Sequence, residues 1–121
     1  YEFFSGEIMK ARHYLDVPCI TNFAGAKGVE KRTLIAQEQS AETFYLRHFS
    51  IGSSGYTPRH SHAWEHEIYV LSGTGAAMVN GEHAELREGM ALFIPPHAEH
   101  QIRAGESGLV FLCIIPALEE A

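Results

Sequence analysis

Short apolar or alternating runs, cut by Gly, Pro, Ser and Asn, make up most of the chain: "VEKRTLIA", "ETFYLRHFSI", "HEIYVLSG", "GAAMV", "EHAELR", "ALFIPP", "HQIRA" and "GLVFLCIIP". Side chains two apart in a strand face the same way, so such runs read as half-buried or fully buried strands. Turn signals at intervals of roughly 8 to 12 residues predict an all-β sandwich or barrel. One segment departs from this pattern: Glu7 to Asp16 predicts the chain's one short helical turn. No repeat or low-complexity tract interrupts the series.

The hairpin signal is sharpest at "AAMVNGEHAELR", where Asn80-Gly81 supplies the two positive-φ positions of a type I′ turn. A two-residue loop puts Ala77, Val79, Ala84 and Leu86 on one face and Met78, His83, Glu85 and Arg87 on the other. His83 is thereby read as a solvated surface residue.

Parity then picks out a histidine face in "RHSHAWEHE", Arg59 to Glu67, which holds three of the chain's eight histidines. In an extended strand His60 and His62 project to one side. His66, Ile68 and Val70 keep that parity, while Glu67, Tyr69 and Leu71 take the other. Trp64 shares the histidine parity and would block three ligands if it stood between them, so a bend at Ala63 to Glu65 is expected to swing it aside, to cap the pocket mouth or, as the favoured reading, to pack the barrel rim. In "GMALFIPPHAEHQIR" a strand ends at Pro95-Pro96 and resumes with His100 and Ile102 inward, Gln101 and Arg103 outward. A lone inward imidazole is an awkward buried polar group, but beside three others it becomes a fourth ligand. His97 belongs to the turn and is expected to be exposed. Two readings compete, a divalent-metal site and a pH-sensitive patch; imidazoles packed together without a metal repel once protonated, which weighs against the second.

Composition changes the picture by exclusion. The 121 residues, 45% hydrophobic and 20% charged, predict one folded domain over residues 1–121. A formal net charge of −6, with no basic cluster longer than "KGVEKR", argues against nucleic acid as a partner. Two cysteines, Cys19 and Cys113, stand outside any paired-spacing motif. That predicts free thiols and a reducing cytoplasm. No apolar run approaches a membrane span, and no segment resembles a signal peptide. The aromatic start "YEFF" and the apolar strand Thr43 to Ile51 exceed what a small barrel buries, which predicts a homodimer covering an outer β-face.

These residues together resemble the two motifs of the small single-domain cupins. The first reads Gly55, His60, His62, then His66 where that family usually carries a glutamate, and Gly73; the second reads Gly89, Pro95 and His100. Parity and the spacing back from Gly73 favour His66 over the neighbouring Glu67 in the glutamate's place. The resemblance runs from about Val29 to Pro116 and implies a double-stranded β-helix, or jelly-roll barrel. With "RHSHAWEHE" and the late "FLCIIP" strand, the chain is most similar to the four-histidine manganese cupins. At His97 it departs from a family glycine.

The expected metal ligands are His60, His62, His66 and His100. Manganese is what the resemblance implies, with iron, nickel, zinc and copper open, because four imidazoles do not choose among divalent ions. The pocket walls are expected from Ile68, Phe93, Ile102, Phe111 and Cys113, the cysteine chiefly as a packing residue. The first functional reading is a dioxygenase-type oxidoreductase acting on a small, partly apolar substrate. The second is a metal-dependent isomerase or lyase with Tyr56, Tyr69 or Glu67 as base, and the third is a sensor in which the metal holds a ligand or staples the barrel. Arg59, beside the ligand pair, reads as a solvated charge.

Overall fold

The computed structural model describes residues 4–5 and 9–117. The chain is all-β, with strands β1 (Phe4–Ser5), β2 (Lys10–Ala11), β3 (Lys27–Ile35), β4 (Phe44–Tyr56), β5 (His66–Val79), β6 (Glu82–Arg87), β7 (Ala91–Ile94) and β8 (His100–Pro116). β1 and β2 pair with each other; the rest follow the order β3-β4-β8-β5-β6, with β7 also on β5, all antiparallel. This sheet forms the jelly-roll barrel that the sequence predicted.

The NG hairpin forms in the expected register, Val79 opposite Glu82 and Ala77 opposite Ala84, with Asn80 at φ 48° and Gly81 at φ 83°. His83 is exposed. Two pairs of predicted runs fuse, however. "HEIYVLSG" and "GAAMV" form one strand, β5, and "HQIRA" and "GLVFLCIIP" form another, β8. Their glycines bend the strands without ending them. Gly73 (φ 87°) and Gly108 (φ 80°) lie at the bend, and a side chain on Gly73 would run into the Gly108 carbonyl. The first half of β5 therefore pairs with β7 and the second half with β6, while β8 follows both.

The expected helical turn at Glu7 to Asp16 is corrected. Glu7 and Ile8 lie outside the described residues, Lys10–Ala11 is strand, and only Tyr14–Asp16 turns, as a 3-10 helix capped by the His13 side chain. Long-range bonds hold this segment: the Arg12 guanidinium donates to the Thr33 and Leu34 carbonyls, and Arg32 Nε to that of Val17. It straps the edge strand β3, whose Lys31 exchanges both backbone bonds with Ile20. A second 3-10 turn, Gln37–Gln39, was not foreseen.

Inward positions of β3, β4, β8 and β5 align across the sheet. Val29 pairs with Ile51 and Ile51 with Leu109; Val70 pairs with Phe111 and Phe111 with Phe49. Ile51, Val70, Leu109 and Phe111 are almost wholly buried, each contributing on the order of 1.5–3 kcal/mol. This packed part of the interior is the floor on which a cavity opens among the histidines.

Candidate metal centre

The segment between β4 and β5 is zipped onto the start of β8. His60 and His100 exchange both backbone hydrogen bonds (3.1 and 2.8 Å), and the Thr57 amide donates to the Ile102 carbonyl at 2.9 Å. Thr57 Oγ1 accepts from the Ile102 amide at 2.9 Å, and Gln101 Nε2 donates to the Thr57 carbonyl. The turn before β8 closes the same frame: the His97 amide donates to the His62 carbonyl (2.6 Å), and Asn80 Oδ1 accepts from the Glu99 amide. His97, at φ 68°, adopts the left-handed conformation that a glycine takes without cost, and its side chain is exposed. Backbone pairing thus brings a histidine from the far strand beside three that are neighbours in sequence.

One ring nitrogen from each of His60, His62 and His100 lies within 4.8 Å of the other two. His66 stands beside this trio and outside that limit, its ring centroid 4.8 Å from that of His100 and 5.2 Å from that of His62. His66 and His100 are buried, while His60 and His62 are half-buried toward the opening. His100 Nδ1 lies 2.9 Å from the Ala98 carbonyl. If that nitrogen carries the proton, Nε2 presents its lone pair to the cluster, the usual orienting arrangement for a ligating imidazole. His66 Nδ1 is buried without any hydrogen-bond partner.

Burial is the largest cause holding all four imidazoles below their ordinary range, followed for most by repulsion from neighbouring histidines or Arg47. His62 is lowered to about 4 and His66 to about 3, while the Ala98 bond partly opposes the shift at His100. The four rings are therefore neutral at neutral pH, with lone pairs available to a cation. Neutral donors in one place and an orphaned buried nitrogen on His66 fit a divalent ion.

The cluster lines a cavity of about 260 Å³, a little below the usual range for a drug-sized ligand and so suited to a smaller molecule, with Ile68, Ile102, Phe111 and Cys113 in its wall. Phe93 is corrected: it is 53% exposed, because β7 pairs Phe93 with outward Glu67 and Ile94 with inward His66. Ile94 takes the place expected of it. Of the two places expected for Trp64, pocket mouth and barrel rim, it takes the first. It lies at the cavity with its ring flat against His62 (centroids 4.3 Å apart, planes 7° apart), so the bend at Ala63–Trp64 lays it on a ligand candidate instead of swinging it to the rim.

Glu67 and Tyr69 are exposed on the outer face, and Tyr56 packs its ring against the Arg103 guanidinium. None of the three proposed bases lines the cavity. Arg59 is exposed and paired with Glu99 at 3.1 Å. Sequence reading missed two buried cations in the wall, Lys31 and Arg47. Both carry the signal that identified the histidines: Arg47 alternates with Tyr45, Phe49 and Ile51, and Lys31 with Val29.

Comparison with known proteins agrees with this architecture. Residues 47–115 match the family model described as a cupin domain. The chain is 37% identical to the polyketide cyclase RemF from Streptomyces resistomycificus, with a TM-score of 0.83 over 91% of this chain and 80% of that one. It is 36% identical over 84 residues to the dimethylsulfoniopropionate lyase DddW of Ruegeria pomeroyi, covering 69% of this chain and 55% of the relative. It is 33% identical over 73 residues to the 1-methylthio-D-xylulose 5-phosphate methylsulfurylase of Rhodospirillum rubrum, covering 60% and 47%. The chain spans about half the length of these two curated relatives.

Proposed function

Because the chain belongs to the cupin family, we propose that its histidine cluster holds one divalent metal ion and that the protein is a metal-dependent enzyme acting on a small molecule in the adjoining cavity. The observation that carries this reading is the convergence of His60, His62 and His100 at the cavity, with buried His66 beside them presenting an unpartnered nitrogen. Manganese is the proposed ion, on the resemblance to four-histidine cupins. A bound ion of this kind supplies Lewis acidity and, where the metal is redox-active, dioxygen chemistry.

The chain's own part is to orient and exclude. The Ala98 carbonyl fixes the His100 ring, Trp64 holds the His62 ring by stacking, and the apolar wall keeps water from the substrate. No carboxylate or tyrosine lines the cavity, so proton abstraction by such a side chain is not provided for among the described residues. That weighs against an isomerase or lyase with Tyr56, Tyr69 or Glu67 as base and leaves the dioxygenase-type reading first. A second reading, lyase or cyclase chemistry by Lewis-acid activation, is favoured by the activities of the relatives named above.

Metal content of protein purified without added metal, with manganese, iron and zinc uptake, tests the site. Less than about a tenth of an equivalent per chain and no uptake would overturn it. Oxygen consumption on diketones, catechols and aryl alkenes is expected for the first reading. Anaerobic turnover of the same panel is expected for the second. We further propose cytoplasmic location, no nucleic-acid or membrane partner, and a homodimer. Among the described residues no helix is long and apolar enough to cross a membrane. Of the two features that suggested the dimer, the side chains of "YEFF" lie outside the described residues. Phe44 at the start of β4 is 58% exposed, and Tyr69 and Phe93 are exposed on the outer wall. Light scattering after size exclusion is expected to give twice the chain mass.

A further inference from the structure

Arg47 is an unusual residue to find inside this barrel. Its row of the sheet reads Thr33, Arg47, Cys113, Ile68, so its side chain enters the interior one register step from His66. It is 8% exposed. Its guanidinium lies 5.1 Å from the Phe49 ring centroid, and Nη2 donates to Cys113 Sγ at 2.8 Å. Nε is buried with no partner. Among the described residues no carboxylate pairs with Arg47, and none lines the cavity.

Cys113 does not cancel the charge. Burial pushes its thiol up, and the nearby Arg47 and Lys31 do not reverse that, so the sulfur stays protonated and is a weak acceptor. Arginine does not shed its proton inside proteins, and an uncompensated buried cation is costly. A second cation, Lys31, lines the same cavity with its ammonium 5.4 Å from the Phe23 ring centroid. Arg47 thus faces an apolar-walled cavity in which, among the described residues, no carboxylate meets its charge, and the four neutral imidazoles offer none.

We propose that Arg47 is the substrate-recognition residue of this cavity, binding the carboxylate of a small carboxylic acid whose apolar body packs against Phe49, Phe111 and Ile68 and whose other end faces the histidines. The planar fork of a guanidinium matches a carboxylate, and a cavity of about 260 Å³ limits the body to about the size of one substituted ring or a short chain. Only the placement of the reacting end rests on the metal reading; the Arg47 subsite needs no metal.

The test uses benzoate, benzyl alcohol and phenyl phosphate as probes, titrated by calorimetry and by two-dimensional NMR into wild-type protein before and after chelation, at about pH 8 and low salt. In chelated wild type, benzoate is expected to bind more tightly than benzyl alcohol by about tenfold or more, the worth of a charge-assisted hydrogen bond. The Arg47 Nε–H resonance is expected to shift with benzoate alone. Arg47→Gln is expected to erase the preference and Arg47→Lys to retain part of it, while Lys31→Met leaves it largely intact. Should Arg47→Gln fail to fold, the wild-type preference and the Nε–H shift decide. Equal affinity for benzoate and benzyl alcohol overturns the proposal, as does a folded Arg47→Gln that keeps the preference. Tighter binding of phenyl phosphate than of benzoate overturns the carboxylate assignment. Metal uptake measured on the same samples separates the two readings. Benzoate preference without uptake leaves Arg47 standing and removes the metal, and uptake without preference does the reverse.

Discussion

His66 stands where parity and spacing make one residue decide between two chemistries. It is buried and faces the other imidazoles, whereas Glu67, its neighbour, is exposed on the outer wall beside Phe93. A carboxylate one position away cannot reach the interior without a register slip that would turn Ile68 and Val70 out as well. His66→Ala is therefore expected to weaken manganese or zinc binding by more than about tenfold, at least the loss seen when a ligand's outer-shell support is removed. Glu67→Ala is expected to leave it within about twofold, the scale of a distant surface charge. Calorimetric titration of the chelated variants measures both; the opposite order would return the site to a three-histidine, one-glutamate set. Arg47 makes the complementary point at the same scale. A charge at an inward parity position is as informative as a histidine there, yet in "ETFYLRHFSI" it sits among apolar residues that draw attention to the strand's outer face.

At the level of elements, the glycines that look like strand ends act as strand corners. Gly73 and Gly108 let β5 and β8 bend together, and the bend carries β8 from the packed floor to His100 at the cluster. A Gly73→Ala variant must hold a left-handed residue, which costs about 1–2 kcal/mol, and also displace the Gly108 carbonyl. Its total loss is expected to exceed about 3 kcal/mol. Gly81→Ala has the same sign of φ but meets nothing within 4 Å, so it is expected to lose only about 1–2 kcal/mol. Urea unfolding of the two variants compares them, and equal losses would mean that the corner is not a close approach.

The same contrast explains what the sequence made legible. Alternation with polar neighbours sets parity for "HEIYV" and "HQIRA", and the NG turn sets register for β6. "ALFI" is apolar at every position, so parity there is undetermined, and only pairing with β5 turns Phe93 out and Ile94 in. The Glu7 to Asp16 segment failed for a related reason: its partners are backbone carbonyls on β3, which local pattern does not reveal.

For the whole molecule, the interior stores its chemistry as neutral imidazole, and that links folding to protons. An unfolded histidine takes a proton near pH 6.5, while in the folded chain burial first, and the neighbouring histidines and Arg47 second, hold His62 to about 4 and His66 to about 3, with His60 and His100 also lowered. Between these limits the unfolded state binds more protons than the folded one. Stability contributed by these groups is therefore complete above about pH 6.5 and is lost progressively as pH falls toward 4 and 3. His48, under the Tyr14 ring and lowered chiefly by burial, adds in the same direction. Chelated protein is expected to melt at steadily lower temperature from pH 7 to pH 4.5. Metal-loaded protein should start higher, because a ligand bound only to the folded state stabilises it, and then fall more steeply as protons displace the ion. His66→Gln in the chelated form should flatten the slope by removing the most strongly lowered of these groups. A melting temperature of the chelated wild type that does not change over this range would mean that the imidazoles titrate alike folded and unfolded, as exposed side chains do, and the interior cluster would lose its physical basis.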